Sequence, residues 1–486
     1  MERPNPAAEA PRSALPPVRR LKTPVMLAYG FGAVAYGVKD FGFLTFLLLF
    51  YNQVVHLPAE QVGFAIMCAL FLDAFIDPAI GVLSDRTRSR WGRRHPWMYG
   101  AALPIAIGWW LLWNPPAGSH GLQLAWLFAT AVIVRTAVSA FEVPSQALSP
   151  ELTADYDERT RIMAYRYLFG WGGGMAMMMA AYGWFLAPGP GQEAGQFSRG
   201  GYPGFAIGGA ALMALAILTS AIGTHGEIRR LPRADVAKKP RGETFRDFWQ
   251  TISNRAFLTL MGAALCYYSA QGISFSLSNY LYAHVWRMEG SDYLWMSLVL
   301  LAGAATAFVI APRVARRIGK PRAAMGFMIA AALLLATPYV LRLVGFFPEP
   351  GNPVLFPLLF AIFYFNTSCS VSSTILGASM LADVVEYSEM DTGRRSEGVF
   401  FAGSFFIQKC TSGLGIFGSG LIVLLTHFPT GALPGTVPKA ALDELTLAFI
   451  ALYLGLAMAA AWLYSRFPFG KAEHEARVAR LAAATR

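Results

Sequence analysis

The chain has 486 residues, of which 55% are hydrophobic and only 14% charged, and its formal net charge is +11 at pH 7. Soluble domains usually carry about 25% charged residues, so this composition excludes an ordinary soluble enzyme and indicates an integral membrane protein. The excess of basic residues does not point to nucleic acid, because it is spread over short loops between apolar runs, as expected of a protein whose partner is a lipid bilayer.

The apolar runs divide the chain into two similar parts. Residues 1–22 are rich in proline and predict a disordered tail rather than a signal peptide, since no cleavage site follows. With about 20 apolar residues per crossing, the sequence predicts twelve membrane spans, with the limits 23–51, 60–84, 96–114, 121–148, 162–187, 203–223, 256–284, 291–312, 321–344, 353–383, 396–427 and 440–466. The polar linker 225–254 separates two six-helix halves, 23–224 and 255–467, and residues 468–486 form a second tail.

The orientation of the spans follows from the distribution of lysine and arginine. The two tails and the loops on their side hold 32 of the 40 basic residues, whereas the opposite loops hold four. Cytoplasmic loops of membrane proteins carry such an excess of positive charge. We therefore expect a multi-pass protein of the bacterial inner membrane with both termini, and the linker between the halves, in the cytoplasm.

A few ionisable residues lie inside the predicted spans. Asp73 and Asp77 in span 2 are one helical turn apart and project from the same face. Each would cost roughly 2.5 to 3.5 kcal/mol at the bilayer centre, so the pair predicts a site for a proton or a small hard cation. The other ionisable residues within spans are Lys39, Asp40, Arg135, Glu142, Arg166 and Lys409, and Asp383 and Glu386 lie near the end of span 10.

Four segments resemble one family of transporters. They are AYGVKDFGF (35–43), LDAFIDPAIGVLSDRTRSRWGRRHPW (72–97), FEVPSQALSPELTADYDERTRI (141–162) and MLADVVEYSEMDTGRRSEGVFFAGSFFIQKCTSGLG (380–415). Together they resemble the glycoside–pentoside–hexuronide:cation symporters of the major facilitator superfamily, a family typified by melibiose permease. The resemblance implies an all-α integral membrane protein with the major-facilitator fold, in which twelve transmembrane helices form two halves and the binding sites lie near the midplane.

The resemblance also implies roles for individual residues. Asp73, Asp77 and Ser139 would bind the coupling cation, the two aspartates acting as metal ligands only if that cation is Na⁺. Lys409 would lie near them and take part in coupling. The residues that would bind the sugar are Lys39, Asp40, Glu142, Gln146 and Arg166.

Several positions depart from the family pattern. Ile76 replaces an asparagine that contributes to sodium binding, so an oxygen ligand is lost. Glu142 is one methylene longer than the usual aspartate, and Gln146 replaces a tryptophan that stacks on the sugar. Arg135 is an additional base two turns before Glu142 on the same helix face, where pairing with Glu142 is one interpretation. The coupling ion is therefore H⁺ or Na⁺, and the loss at Ile76 favours H⁺.

Charged residues near the cytoplasmic ends of the spans suggest a gate. Asp85 and Arg86 follow span 2, and Asp383 and Glu386 end span 10 in the other half. Ion pairs between these two groups would close the cytoplasmic side. The alternative is that the arginines of this loop only anchor the topology.

The sequence therefore predicts a cation-coupled secondary symporter that imports a glycoside, pentoside or hexuronide by alternating access. Its ligands would be a small-molecule sugar and a monovalent cation, without a bound cofactor, and the protein would be a monomer. Alternatives are a major-facilitator transporter of a non-sugar or lipid-like substrate, and a transporter-like sugar sensor. A membrane enzyme is not favoured, because the sequence has no metal-ligand cluster and no sizeable domain outside the spans.

Overall fold

The computed structural model describes residues 21–153, 155–189, 195–228, 255–392 and 397–467. Most of the first predicted tail, most of the linker and the whole second tail lie outside these residues. The described residues contain helices and no strand. The α-helices are α1 (Thr23–Phe31), α2 (Val34–Phe41), α3 (Ala59–Arg86), α4 (His95–Leu112), α5 (His120–Leu152), α6 (Tyr156–Ala180), α7 (Tyr202–His225), α8 (Arg255–Tyr280), α9 (Gly290–Ile318), α10 (Lys320–Leu343), α11 (Leu355–Thr392), α12 (Glu397–Leu425) and α13 (Lys439–Ser465).

Each predicted span coincides with a helix or with a short series of helices. The first span is α1 and α2 followed by two π-helical turns, Gly42–Leu47 and Phe50–Val54. Similar π-helical turns, Ala181–Phe185 and Leu281–Val285, extend α6 and α8. Among the described residues, nine helices are long and apolar enough to cross a membrane. The fold is therefore an all-helical membrane bundle, and the count of twelve spans stays a prediction.

Local sequence signals mark where several helices begin. Ser119 precedes α5, and its hydroxyl accepts a hydrogen bond from the Leu122 backbone N–H. Asp155 caps α6 in the same way through the Glu158 N–H. These caps satisfy backbone donors that the first helical turn leaves free. Prolines in the first turn of α4, α7 and α10 occupy a position where the missing N–H costs no hydrogen bond.

Glycines bring two helices of the first half close together. A Cβ atom added to Gly37 of α2 would overlap the carbonyl oxygen of Gly170 and the backbone nitrogen of Gly174, both on α6. Small residues at such crossings allow helix backbones to approach in membranes, where packing replaces the hydrophobic effect. The close approach fixes the charged residues at the end of α2 beside α6.

A second close crossing joins the two halves. Gly63 of α3 packs against the backbone of Phe417 on α12, and Gly420 of α12 packs against the backbone of Ala59 on α3. Farther along the same two helices, the rings of Phe75 and Phe406 meet edge to face with centroids 5.2 Å apart. Because α3 and α12 run side by side over this length, side chains just beyond Phe75 and Phe406 can meet across the interface between the halves.

Candidate functional site

Among the described residues, Asp73 is a deeply buried acid, whose side chain is only 2% exposed. Its Oδ2 atom accepts hydrogen bonds from Nε and Nη2 of Arg135 at 3.0 and 2.8 Å. The same oxygen lies 2.8 Å from Nζ of Lys409. The Oδ1 atom accepts a hydrogen bond from the Ser139 hydroxyl at 2.9 Å. Both carboxylate oxygens therefore accept hydrogen bonds.

Asp77 is one turn farther along α3 and is more open, with 25% of its side chain exposed. Its Oδ2 atom accepts a hydrogen bond from Nζ of Lys409 at 2.5 Å. Its Oδ1 atom is buried and has no hydrogen-bond partner among the described residues. Lys409 is thus shared by the two aspartates. Since Lys409 belongs to α12 and the aspartates to α3, this ion pair crosses the interface between the halves.

The alternative pairing of Arg135 with Glu142 is wrong. Arg135 instead binds Asp73, and its guanidinium lies 5.4 Å from the ring centroid of Phe43. The seven residues that separate Arg135 from Glu142 place them about 10 Å apart along the helix axis. Asp73 on the neighbouring helix is nearer to Arg135, and Glu142 already has another basic partner.

That partner is Arg166 of α6. Its Nη2 atom donates to Glu142 Oε1 at 3.0 Å, and its Nη1 atom donates to the hydroxyl of Ser145 at 2.9 Å. The Tyr29 hydroxyl lies 3.5 Å from the same Nη1 atom. Gln146 donates to Glu142 Oε1 at 3.1 Å. The structure thus brings Glu142, Gln146 and Arg166 together, as the sequence suggested, and adds Ser145 and Tyr29, which the sequence analysis missed.

The remaining two predicted substrate residues lie at the end of α2. The ammonium of Lys39 is 2.5 Å from Asp40 Oδ1, and Lys39 is buried while Asp40 is 29% exposed. Nζ of Lys39 also lies 4.4 Å from the ring centroid of Tyr36. Because Gly37 of α2 packs against α6, the Lys39–Asp40 pair lies on a helix that directly contacts the helix of Arg166.

A cavity of about 920 Å³, which includes space open to solvent, is lined mainly by the second half and borders the first half. On the side of the first half it is lined by Phe41, Trp171 and Met175. The ring of Phe41 meets those of Trp171 and Phe275 edge to face, each at 6.2 Å between centroids. The predicted sugar-binding residues are not among those that line this cavity, although Phe41 directly follows Asp40 in the chain.

The second half contributes a neutral polar wall to the same cavity. The Tyr267 hydroxyl is hydrogen-bonded to Ser370 and Thr374 at 3.1 and 2.7 Å, and Gln271 donates to it at 3.2 Å. The sequence analysis missed these residues. A weak signal was present, since Tyr267, Gln271, Ser274 and Ser278 recur at helical spacing along span 7. The cavity-lining polar residues of this half are Tyr267, Gln271, Ser274, Ser278, Tyr282, Asn366, Thr367 and Ser370.

The residues expected to form a gate between the halves are paired within each half. Asp85 is 2.6 Å from Nη2 of Arg94, and Asp383 is 2.6 Å from Nζ of Lys320. Arg86 is exposed, and the side chain of Glu386 lies outside the described part of the chain. Among the described residues, the expected ion pair between an arginine of this loop and Asp383 across the halves is therefore not formed, because Arg94 binds Asp85 and Asp383 binds Lys320.

The halves are joined by hydrogen bonds at the opposite end of the bundle. The Ser276 hydroxyl and the Asn279 amide of α8 donate to the carbonyls of Leu44 and Thr45 at 3.2 and 3.0 Å. The Tyr280 hydroxyl donates to Asn52 Oδ1 at 2.8 Å. We call this the Asn52 end and the other the Asp85 end. The described polar contacts between the halves lie at the Asn52 end and at Lys409.

Comparison with known proteins agrees with this architecture. A family profile described as MFS/sugar transport protein matches residues 28–471. A symporter of Synechocystis sp., itself uncharacterized, is 28% identical over 81% of this chain and 85% of its own length. The isoprimeverose transporter of Lactiplantibacillus pentosus is 26% identical over 78% of this chain and 75% of its own length. The crystal structure of a D-xylose-proton symporter superposes with a TM-score of 0.60 and 13% identity, covering 90% of this chain and 96% of that one, which shows a shared fold.

Proposed function

Because the chain belongs to the MFS sugar transport protein family, whose members are transporters and not enzymes, we propose that it imports a sugar together with a monovalent cation by alternating access. The sugar would bind at the interface between the halves, with Asp40, Glu142 and Arg166 as its charged partners. The cation would act at Asp73 and Asp77. Multi-pass membrane insertion is common to the family, and we place the protein in the bacterial inner membrane as a monomer.

The observation that carries the substrate proposal is the cluster of charged side chains that Glu142 and Arg166 form in the first half. Sugar hydroxyls both donate and accept hydrogen bonds. Glu142 can accept them and Arg166 can donate them, and hydrogen bonds to ionised groups are roughly twice as strong as neutral ones. The aromatic rings of Phe41 and Trp171, which line the cavity, supply flat apolar surface. This combination suits a pyranose ring, which has polar edges and apolar faces.

The charge balance of the predicted sugar-binding residues favours an uncharged sugar over a hexuronide. Lys39 pairs with Asp40, and Arg166 pairs with Glu142, so these residues of the first half carry no net charge together. The lining residues of the second half are neutral. A carboxylate substrate would need an unpaired base, because an unmatched charge is costly in a site of low dielectric constant. We therefore propose a neutral glycoside or pentoside as the substrate.

The coupling proposal rests on Lys409. This residue holds both aspartates from the opposite half, so a cation that binds Asp77 must compete with Lys409. Loss of that ion pair would loosen one polar link between α3 and α12. The free energy of cation binding would thereby change the relative stability of the two conformations, which is the requirement for coupling.

With both termini in the cytoplasm, the Asp85 end is the cytoplasmic end. The hydrogen bonds at the Asn52 end would then close the cavity on the periplasmic side, and the structure would represent an inward-facing state. Cysteines placed at Ser119 and at Lys238 should react with an impermeant reagent from opposite sides of the membrane. Labelling of both from the same side would overturn this orientation.

Counterflow in proteoliposomes tests the proposed function. Vesicles preloaded with one unlabelled sugar should take up the labelled form of that sugar, and a panel of neutral glycosides and pentosides would identify the substrate. A sensor would bind a sugar, which raises the melting temperature, without counterflow. A transporter of lipid-like substrates would respond to neither measurement with any sugar, and that result would refute the proposal.

Coupling is tested with Asp77→Asn. This variant should still exchange labelled sugar, since exchange needs no net ion movement, but it should lose accumulation against a gradient. Imposing a Na⁺ gradient and a pH gradient in turn on the wild-type protein identifies the ion. Unchanged accumulation by Asp77→Asn would remove Asp77 from the cation site.

A further inference from the structure

The carboxylate of Asp73 already receives four donor contacts. An ionised carboxylate offers about four lone-pair positions. Two N–H groups of Arg135 and the ammonium of Lys409 surround Oδ2, and the Ser139 hydroxyl binds Oδ1. A metal ion that bound Oδ2 directly would have to displace at least one of these groups, and one that bound Oδ1 would have to share that oxygen with the Ser139 hydroxyl.

Arg135 is the partner least able to leave. Its side chain is 4% exposed, and it makes two of the hydrogen bonds to Asp73. A guanidinium stays protonated in proteins, so it cannot give up its charge to make room for a second cation. Arg135 also belongs to the same half as Asp73. Rigid-body movement of the halves, which would separate Asp73 from Lys409, leaves the Arg135–Asp73 pair together.

The electrostatic balance leads to the same conclusion. Asp73 and Asp77 carry two negative charges, and Arg135 and Lys409 carry two positive ones, so the cluster is neutral in this structure. If Lys409 moved away, Arg135 would still neutralise Asp73, and one acid would remain for a monovalent cation. Two carboxylates without Arg135 would instead form a site with a net negative charge and four oxygen atoms, the ligand type that hard cations prefer.

We propose that Arg135 is a resident cation of this transporter: it permanently occupies the position at Asp73 that a sodium ion would need, and thereby prevents the Asp73–Asp77 pair from acting as a Na⁺ site. This inference rests on the proposed function, because it specifies the ion selectivity of the same site. Ile76, which lies between the two aspartates in the chain, acts in the same direction because it offers no oxygen atom.

Replacement of a resident cation and replacement of an ordinary structural counterion have different effects. A purely structural arginine could be replaced only at the expense of stability, and its loss would create no new binding property. A resident cation has a second property: its removal uncovers a site. The decisive variant is therefore Arg135→Met, which keeps an unbranched side chain and removes the charge. Arg135→Lys is the matched control, because it keeps the charge.

The readout is the melting temperature of purified protein in NaCl compared with equal concentrations of KCl and choline chloride, without sugar. A ligand that binds only the folded state raises the melting temperature by mass action. We expect no difference between the three salts for the wild-type protein and for Arg135→Lys. Arg135→Met should show a rise that is specific to Na⁺, saturates with concentration and reaches a few degrees.

Three outcomes would overturn the proposal. One is a saturable Na⁺-specific rise in the wild-type protein. Another is a folded Arg135→Met variant that does not respond to Na⁺, even when Ile76→Asn adds an amide oxygen. The third is that neither Arg135→Met nor Arg135→Gln folds, which would make Arg135 a structural counterion.

The sugar assay separates this result from the proposed function. Counterflow by the wild-type protein depends on the sugar site and on alternating access, whereas the salt-dependent melting temperature does not. If the wild-type protein shows no counterflow but Arg135→Met shows the Na⁺-specific rise in melting temperature, sugar transport is refuted and the role of Arg135 stands. If the wild-type protein shows counterflow but Arg135→Met shows no such rise, only the role of Arg135 is refuted.

Discussion

The two halves of the bundle contribute different chemistry to the interface between them. The first half supplies all the acids at the centre of the described bundle, Asp40, Asp73, Asp77 and Glu142, together with most of their basic partners. The second half supplies Lys409 and a wall of hydroxyl, amide and aromatic groups. The difference would place the charged parts of both proposed sites in one half, and leave the other half to contribute neutral groups and the ammonium of Lys409.

The division has an energetic reason. Buried ion pairs within one half keep their partners while the halves move, so their charges are never left unpaired in a medium of low dielectric constant. Lys409 is the exception among the described central residues. It is 19% exposed, more than Arg135, and its pairing with Asp77 has to be broken if the halves separate there. The buried ion pairs within the first half would then stay formed, and the more exposed Lys409–Asp77 pair would be the contact that changes.

The largest effect should come from removing the central acid of the first half. Asp73→Asn leaves the buried Arg135 without its charged partner, and breaking a buried pair from one side typically costs about 3 to 5 kcal/mol. We expect a lower melting temperature in thermal denaturation and a lower midpoint concentration in chemical denaturation. The double variant Asp73→Asn, Arg135→Met removes both charges and should recover much of that loss. A single variant as stable as the wild-type protein would show that the pair is not the main support of this half.

The second prediction concerns the sugar side of the same half. Glu142→Gln keeps the shape of the side chain and removes its charge. A hydrogen bond to a charged group contributes about 1.5 to 3 kcal/mol, which corresponds to a loss of roughly 10- to 150-fold in affinity. Sugar affinity can be measured from the concentration dependence of counterflow or of the melting temperature. Arg166 would lose its partner in this variant, so the melting temperature without sugar is the control for folding.

The third prediction concerns the neutral wall. Gln271→Ala and Tyr267→Phe should each weaken sugar affinity by only about 2- to 10-fold, because a neutral hydrogen bond contributes roughly 0.5 to 1.5 kcal/mol. Tyr267 is bonded to Ser370 and Thr374, so Tyr267→Phe also tests whether that network holds the wall in place. If either substitution weakened sugar binding more than Glu142→Gln, the charged half would not dominate recognition.

The contrast between the halves also explains what the sequence could predict. Charged residues in an apolar span are conspicuous, so Lys39, Asp40, Asp73, Asp77, Glu142, Arg166 and Lys409 could be named in advance. Serine, glutamine and tyrosine are common in membrane helices, so the wall around Tyr267 and Gln271 gave no comparable signal. The partner of Arg135 could not be predicted from one helix, because it depends on which acid of a neighbouring helix lies nearest. The family and the all-helical fold, in contrast, follow from composition and motifs and were confirmed.

The smallest effect should come from the Asp85 end, where the halves are again compared directly. Asp85 pairs with Arg94 in one half and Asp383 with Lys320 in the other, and Asp85, Asp383 and Lys320 are partly or well exposed. Exposed ion pairs contribute about 0 to 1 kcal/mol, so Asp383→Asn should lower the free energy of unfolding by no more than that. The same substitution in a protein trapped with the Asp85 end closed would remove any pair that forms across the halves only in that state. A loss of stability well above about 1 kcal/mol in the present conformation would show that Asp383 has a partner beyond Lys320.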